Sequence, residues 1–376
     1  MKNLDADVAS VQHGNVRFAN LGNQVPHGQR YCIYFCIMIF HSESLNTKLL
    51  YAITLVVTSS LIFSCQKVID VDLPDADPQL VVEGIIRKGK KPLVVLSMSQ
   101  GYFDPVNLDQ FAISGAQVSI IVDGVEHELE EIPAYLLDYE QQQELAQRYE
   151  SIGIPIEVFQ LPESLTQISF PTYSIIGNSN LIGEVGKVYD LRVEYDTIVA
   201  TASTKLHSPI LFDDSYFSFP ENSTSDSLGI INIVYTDPDS LGNCYRWSSR
   251  RSNKYPPWHE LAGQVKDPFY IYPVGSTWDD LIFNGGSFDL STIRYPSEND
   301  NLDPLEQGLW KVGDTVLIKL ETIDYNSYET LLSFETAVSS NANPFAPPTN
   351  VISHVDGGLG WWIAYSEDVD TVYCQP

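Results

Sequence analysis

The chain has 376 residues, and its 49 acidic side chains far outnumber its 21 basic ones, which gives a formal net charge of −28 at pH 7. This balance opposes binding to nucleic acid or to an anionic lipid surface through charge. The length is sufficient for two domains that each bury a hydrophobic core.

The segment that ends at Cys65 has the organisation of a lipoprotein signal peptide. Lys48 precedes the uncharged, largely apolar run Leu49–Ser64, in which Ile62 and Ser64 fit the pattern before a lipidated cysteine. This run is shorter than the roughly 20 residues that a spanning helix needs, and an uncleaved membrane helix is the alternative. We expect lipidation of Cys65, which anchors the mature chain in a membrane.

The residues on either side of this signal are interpreted separately. Met38 offers a start that leaves a conventional signal peptide, so residues 1–64 are interpreted as a doubtful N-terminal extension plus the signal peptide. Residues 65–79 are rich in aspartate and contain Pro74 and Pro78. This composition favours a solvated acidic tether between the anchor and the folded part.

Short strand patterns begin after the tether. Leu80–Ile86, Ala116–Val122 and Val188–Tyr195 are apolar-rich runs bounded by Gly, Pro or Asp, which is typical of antiparallel strands. They predict an N-terminal β-sandwich over residues 80–205, of an immunoglobulin-like or transthyretin-like kind.

One stretch of this first domain departs from the strand pattern. Glu140–Arg148 consists of helix-forming residues without Gly or Pro, which predicts a helical insertion near residues 135–149. We interpret this insertion as an exposed spacer helix, with a contact surface as the alternative. Leu206–Pro209 is the predicted link to the next domain.

The C-terminal segment, residues 210–376, is also predicted to be β-rich, with strand patterns such as Ile230–Tyr235 and Thr315–Leu320. A helix is predicted near residues 327–339, where the residues at helical spacing are Tyr328, Leu331, Leu332, Glu335 and Val338. The prolines of Asn341–Pro348 end this helix. The predicted fold class is therefore mostly β, with two β-sandwich-like domains, a helical insertion and one helix near the C-terminus.

Tryptophan is confined to this second domain, which contains all six of the chain. Trp361 and Trp362 are adjacent on a predicted strand, so their side chains face opposite sides and at most one enters a one-sided core. Trp258 follows Tyr255–Pro257 in a predicted loop, where an indole can stack on a ligand. Trp258, Trp361 and Trp362 are the predicted ligand-binding residues, and most tryptophans are expected in the core.

Cysteine is scarce after the predicted lipidation site, where only Cys244 and Cys374 occur. In an oxidising compartment these two residues can form one disulfide. Two separate thiols are the alternative, because the sequence does not give the distance between them.

The segment after Cys65 contains no motif that indicates catalysis. Its histidines do not occur in a zincin, triad or paired-ligand pattern. The acidic cluster Asp237–Asn243 lacks the ordered ligands of a calcium loop, and so does Asp300–Asp303. The glycine-rich segment Asp356–Gly360 precedes an apolar run, so we interpret it as a turn into the last strand. We expect a protein that is not an enzyme and has no cofactor and no metal site.

Several segments resemble the DUF4249 family of lipoproteins, and together they span nearly all of the chain after the predicted anchor. These segments are Cys65–Pro74 with Leu80–Gly84, Asn180–Tyr189, Asn343–Pro348 and Asp356–Gly360. The resemblance implies an outer-membrane lipoprotein, often encoded beside a TonB-dependent transporter. It supplies no established reaction, ligand or catalytic residue. The helical insertion and the N-terminal extension depart from the family's pattern.

These observations predict a lipid-anchored accessory or ligand-binding protein that acts with a TonB-dependent transporter in nutrient uptake. Its localisation is expected to be the outer membrane, on the periplasmic or the cell-surface face. One alternative is a purely structural or adhesive surface protein. The other is an envelope hydrolase, for which the candidate residues are His259 with Glu260, or His354 with Asp356.

Overall fold

The computed structural model describes residues 77–100, 113–151, 171–176, 181–221, 223, 225–259, 262–294, 308–341 and 349–376. All of them belong to one compact unit, Asp75–Pro376. The predicted N-terminal extension, the signal peptide and Cys65 lie outside the described residues, as do most of the tether and the segment Asn343–Pro348.

The described part of the chain is mostly β, as the sequence predicts. The strands of its first half are β1 (Leu80–Arg87), β2 (Leu93–Met98), β3 (Gln117–Val122), β4 (Val125–Pro133), β5 (Pro171–Ser174), β6 (Val188–Tyr195) and β7 (Ile198–Lys205). Those of its second half are β8 (Phe212–Ser218), β9 (Leu228–Thr236), β10 (Cys244–Arg251), β11 (Thr277–Asp279), β12 (Ser287–Thr292), β13 (Trp310–Lys311), β14 (Thr315–Ile323) and β15 (Leu359–Tyr373). The helices are α1 (Tyr139–Ser151) and α2 (Tyr325–Asn341), which confirms both predicted helices.

The first and last strands of the described chain pair inside an eleven-stranded sheet. The strand order is β11-β10-β14-β15-β1-β2-β5-β4-β3-β6-β7. Strand β15 runs parallel to β1, with Val81 opposite Leu359 and Arg87 opposite Tyr365, and antiparallel to β14. A smaller sheet has the order β12-β9-β13, and β8 also pairs with β9.

Alternating apolar residues of these strands form two main cores. The first core contains Val82 and Leu191, together with Trp362 from the last strand. The second core joins the two sheets, because Ile233 of the small sheet and Leu320 of the large sheet both belong to it. Packing of this second core between two sheets gives a sandwich-like arrangement.

The predicted link Leu206–Pro209 falls between these cores. Leu206 belongs to the first core and Ile210 to the second. Strands from both sides of the link nevertheless share the large sheet. The division into two domains that fold independently stays a prediction.

Helix α1 covers part of the large sheet, so the interpretation as an exposed spacer is wrong. Leu145 and Ala146 are only 1% exposed. Leu145 joins Leu93 and Val95 of β2 in a small apolar cluster. The Gln141 amide donates to backbone carbonyls of the β1–β2 turn, at 3.2 and 3.4 Å. Although most residues of the helix are polar, a narrow apolar stripe runs along one side, and this stripe packs against the large sheet.

Helix α2 is fixed at its start and in its middle. Asp324 caps the first turn, where its carboxylate accepts from the Ser327 amide at 2.9 Å. Tyr328 and Leu331 pack on the large sheet. Glu335 is buried and accepts from the Gly275 amide at 2.7 Å. Two of the predicted face residues remain substantially exposed, namely Leu332 and Val338.

The glycine-rich segment Asp356–Gly360 leads into β15, as the sequence predicts. Gly360 has a φ of +108°, and a Cβ there would overlap the carbonyl oxygen of Val82 on β1. Gly357 makes a similarly close approach to the Val199 carbonyl on β7. These glycines therefore allow the start of the last strand to lie directly against two other strands.

Candidate functional site

Two neighbouring turns at one end of the small sheet expose large apolar side chains. Leu241 lies in the turn after β9, whereas Leu281, Ile282 and Phe283 lie in the turn before β12. Their exposed fractions are 66%, 70%, 83% and 47% respectively. We refer to these four residues as the apolar tip. Single exposed apolar residues are ordinary, but a group of them marks a contact surface.

A buried aspartate ties the two turns of the tip together. The carboxylate of Asp280, 2% exposed, accepts from the Gly242 amide at 2.9 Å and from the Asn243 side-chain amide at 2.9 Å. The Asp280 amide in turn donates to the Asn243 carbonyl at 3.0 Å. The turn that carries Leu241 and the turn that carries Ile282 are therefore held as one unit.

A second buried aspartate fixes the base of the tip. Asp237 accepts from the Gly285 amide at 2.9 Å and from the Tyr245 hydroxyl, and its own amide donates to the Gly286 carbonyl at 2.9 Å. Burial, followed by the hydrogen bond to Asp237, raises the pKa of Tyr245 far above its usual value. Tyr245 therefore stays protonated and acts as a permanent donor to Asp237.

Aromatic packing connects the tip to the second core. Phe283 makes an edge-to-face contact with Phe288 at a centroid distance of 4.9 Å, and Phe288 lies 5.6 Å from Tyr235. The Trp278 indole donates to the Tyr235 hydroxyl at 3.0 Å. Such contacts restrict Phe283, so the tip presents its outer side chains from a fixed base.

The chain segments on either side of the tip carry acids but no lysine or arginine. No lysine or arginine occurs in residues 206–245 or in residues 267–293. The exposed carboxylates there include Asp214, Asp239 and Asp289. The apolar tip is therefore bordered by negative charge.

A different group of ionisable residues forms a charged layer of buried and half-buried side chains on the helix-covered face of the large sheet. Its members are Arg87, Glu144, Arg246, Tyr272, Lys319, Glu321, Tyr365 and Glu367. The Lys319 ammonium is 2.7 Å from a Glu321 oxygen and donates to the Tyr272 hydroxyl at 2.9 Å. The Tyr272 hydroxyl in turn donates to Glu321 at 2.8 Å.

The charges of this layer stabilise one another. Burial acts to lower the pKa of Lys319, but Glu321, with Tyr272, Tyr365 and Glu367 beyond it, raises that pKa well above its usual value. Burial acts to raise the pKa of Glu321, but Lys319 lowers it overall. Lys319 thus stays protonated at neutral pH, and a protonated amine is neither a base nor a nucleophile.

The same layer fastens helix α1 to the sheet. Glu144 of the helix accepts from the Tyr365 hydroxyl at 2.7 Å, and it lies 3.4 Å from the Arg87 guanidinium. Glu140, one turn earlier, is 2.8 Å from Lys90. These contacts indicate a structural role for the layer.

A groove of about 320 Å³ lies on the outer face of β3, β4 and β6. Its polar side chains are largely engaged with one another. Ser119 donates to Glu126 at 2.7 Å, and Arg192 pairs with Glu194 at 2.6 Å. A ligand would have to replace these contacts, so the apolar tip is the stronger candidate site.

The three predicted ligand-binding tryptophans do not form one site. Trp361 and Trp362 face opposite sides of β15, as expected: Trp361 packs beside Ile363, and Trp362 is in the first core. The Trp362 indole donates to the Tyr189 carbonyl at 2.8 Å, so assigning Trp362 to a ligand is wrong. Trp258 is 83% exposed in its loop. Ligand binding by Trp258 or Trp361 stays a prediction.

The predicted disulfide between Cys244 and Cys374 is wrong, because both are buried free thiols. Cys244 lies opposite Ile323, at one end of β14, whereas Cys374 follows the residue opposite Thr315, at the other end. Eight residues of strand span about 26 Å, against a Cα separation of about 4–7 Å in a disulfide. Burial raises the pKa of each thiol to about 12.

Three of the four residues considered for a hydrolase take part in other contacts. His354 lies 3.2 Å from Glu329 of α2, and the backbone of Asp356 pairs with Thr201 of β7. The His259 ring stacks on Tyr255 at 4.2 Å, and Glu260 is outside the described residues.

Two further findings concern only the part of the chain that the structure describes. It contains no group of three or more His, Cys, Asp or Glu side chains placed to hold a metal ion. None of its helices is long and apolar enough to cross a membrane. The acidic cluster Asp237–Asn243 instead organises the tip, and Asp300–Asp303 lies outside this part.

The fold and the tip define a mostly β protein that exposes clustered apolar side chains on hydrogen-bonded turns. This chain belongs to the DUF4249 family: the profile described as "Domain of unknown function (DUF4249)" matches residues 66–371. No curated protein matches the chain.

Proposed function

We propose that this protein is a lipid-anchored accessory protein of the outer membrane that binds a TonB-dependent transporter and assists nutrient uptake. The apolar tip is the observation that carries the proposal. Leu281 and Ile282 are among the most exposed apolar residues described, yet buried hydrogen bonds fix the turns that present them. When a partner covers clustered apolar side chains of this kind, their removal from water contributes favourably to binding.

The predicted anchor supports the same function by limiting where the folded part can be. The 15 residues of the tether, 65–79, span at most about 50 Å when fully extended. Lipidation of Cys65 would thus keep the tip within reach of proteins in the same membrane. Such confinement raises the effective concentration of a partner and strengthens binding without further contacts.

Replacement of Cys65 by alanine tests this function. We expect the variant to leave the outer membrane, and the amount of TonB-dependent transporter isolated with it to fall about tenfold or more, because the effective concentration is lost. The measurement is affinity isolation from detergent-solubilised whole cells, followed by mass spectrometry in which the transporter is quantified relative to the isolated protein. Uptake of the isolated transporter's own substrate should fall in parallel.

Thr58→Ala is the matched control, since it changes the apolar run of the signal and leaves Ile62–Cys65 intact. It should retain both membrane location and transporter. Absence of any TonB-dependent transporter from the wild-type isolate, together with normal uptake after gene deletion, would contradict the proposal.

A further inference from the structure

The outer face of the small sheet continues from the apolar tip as a row of acids. Asp214 of β8 and Asp289 of β12 both lie opposite Val234 of β9, one on each side. The adjacent residues of β9, Ile233 and Tyr235, belong to the second core. Because side chains alternate along a strand, the side chains of Asp214, Val234 and Asp289 face outward. We refer to these three residues, with an aspartate at each end, as the acidic row.

The tip and this outer face belong to one surface. Strand β9 runs into the turn that carries Leu241, and the turn that carries Ile282 runs into β12. The hydrogen bond from the Asp237 amide to the Gly286 carbonyl extends the pairing of these strands up to the turns. Exposed acids and exposed apolar residues are therefore held in fixed relative positions.

Charge restricts what can cover this surface. The surrounding residues, 206–245 and 267–293, lack lysine and arginine, so an anionic lipid headgroup or a nucleic acid is repelled. A second copy of the chain would bring the same acids and is repelled likewise. The apolar tip requires an apolar cavity, because side chains such as Ile282 gain free energy only when water is excluded from them.

We infer that the apolar tip and the acidic row together dock a protein partner whose matching surface is an apolar cavity bordered by lysine and arginine. This inference rests on the proposed function and adds the docking surface and the partner's chemistry. Complementary charge speeds the encounter and fixes orientation, while the apolar contact holds the complex. Binding is then sensitive to salt as well as to truncation of the tip.

The test uses the full lipidated protein, isolated from solubilised outer membrane with the transporter bound to it. Leu281→Ser combined with Ile282→Ser should reduce the co-isolated transporter about tenfold or more. Asp214→Asn combined with Asp289→Asn should reduce it by about threefold to tenfold, and high salt should reproduce that loss in the wild type. All variants should keep the wild-type thermal unfolding midpoint, because the changed side chains are exposed.

The matched controls lie on other surfaces of the molecule. Glu126→Gln with Glu128→Gln removes the same charge, and Val125→Ser with Val199→Ser removes exposed apolar groups. Both controls should retain the transporter. Equal losses in the controls and the test variants would overturn the inference alone, whereas a wild type that isolates no transporter would overturn the proposed function itself. Binding of a Cys65→Ala protein to phosphatidylcholine vesicles through Ile282 would overturn the inference in favour of a lipid contact.

Discussion

Replacing Gly360 by alanine is expected to lower the free energy of unfolding by about 4 kcal/mol or more. The residue has a φ of +108°, and the new Cβ would overlap the Val82 carbonyl oxygen and lie 2.8 Å from its carbonyl carbon. Val82 lies opposite Gly360 in the β1–β15 ladder. Neither backbone can move away without disrupting the parallel pairing, so the steric conflict cannot be relieved by a side-chain rotation.

Denaturant unfolding of the variant and the wild type measures this difference. Gly89→Ala is the matched control, because Gly89 also has a positive φ, of +72°, but nothing lies within 4 Å of its added Cβ. In that control only the left-handed backbone conformation opposes the new side chain, so the free energy of unfolding should fall by about 1–2 kcal/mol. If the two variants lost similar amounts of unfolding free energy, the close approach of β1 and β15 would not be the reason that position 360 requires glycine.

Replacing Lys319 by methionine is expected to destabilise the protein by about 3–5 kcal/mol at pH 7, because it leaves a buried carboxylate without its principal cation. Lys319 and Glu321 are 5% and 2% exposed, and their charged atoms are 2.7 Å apart. Adding Glu321→Gln to Lys319→Met should recover much of the loss, since the amide is neutral. Chemical denaturation of the single and double variants measures both effects.

The pH dependence of these variants gives an independent check. In the wild type the pKa of Glu321 is lowered. The ionised Glu321 therefore stabilises the fold at pH values above the ordinary carboxyl pKa, and this stabilisation is lost as the pH falls through the pKa of Glu321 in the folded protein. Without Lys319 we expect burial to outweigh the remaining attraction of Arg246 and to raise the pKa of Glu321, so that stability is instead lost as pH rises. The difference in free energy of unfolding between the wild type and Lys319→Met should therefore become smaller between pH 7 and pH 4. A constant difference, with no recovery in the double variant, would contradict the ion pair.

Local patterns predicted both helices and several strands of the fold. Alternating apolar residues identified strands such as β6 and β9, and helical spacing identified α2 to within two residues at each end. The opposite orientations of Trp361 and Trp362 followed from the two-residue repeat of a strand. These features depend on residues close together in the sequence.

Long-range pairing could not be predicted in the same way. Nothing local indicates that Val81 lies opposite Leu359, or that Gly360 meets Val82. The separation of Cys244 from Cys374 likewise depends on their pairing at opposite ends of β14. Such distances are set by the topology of the sheet.

The apolar tip was missed although a signal was present. Leu281-Ile282-Phe283 stands between two aspartates and Asn284-Gly285-Gly286, where turn residues predict exposure. Three consecutive apolar residues in a turn are a departure from ordinary surface composition, and they can mark a functional site. The tethering by Asp280, in contrast, required the structure.

Docking of the tip on the transporter is tested most directly by site-specific photo-crosslinking in living cells. A photoreactive residue in place of Ile282 should form an adduct with a TonB-dependent transporter, whereas the same residue in place of Val125, which is 55% exposed, should not. Adducts identified by mass spectrometry give the answer. Absence of a transporter adduct from position 282, or equal adducts from both positions, would contradict the proposed docking.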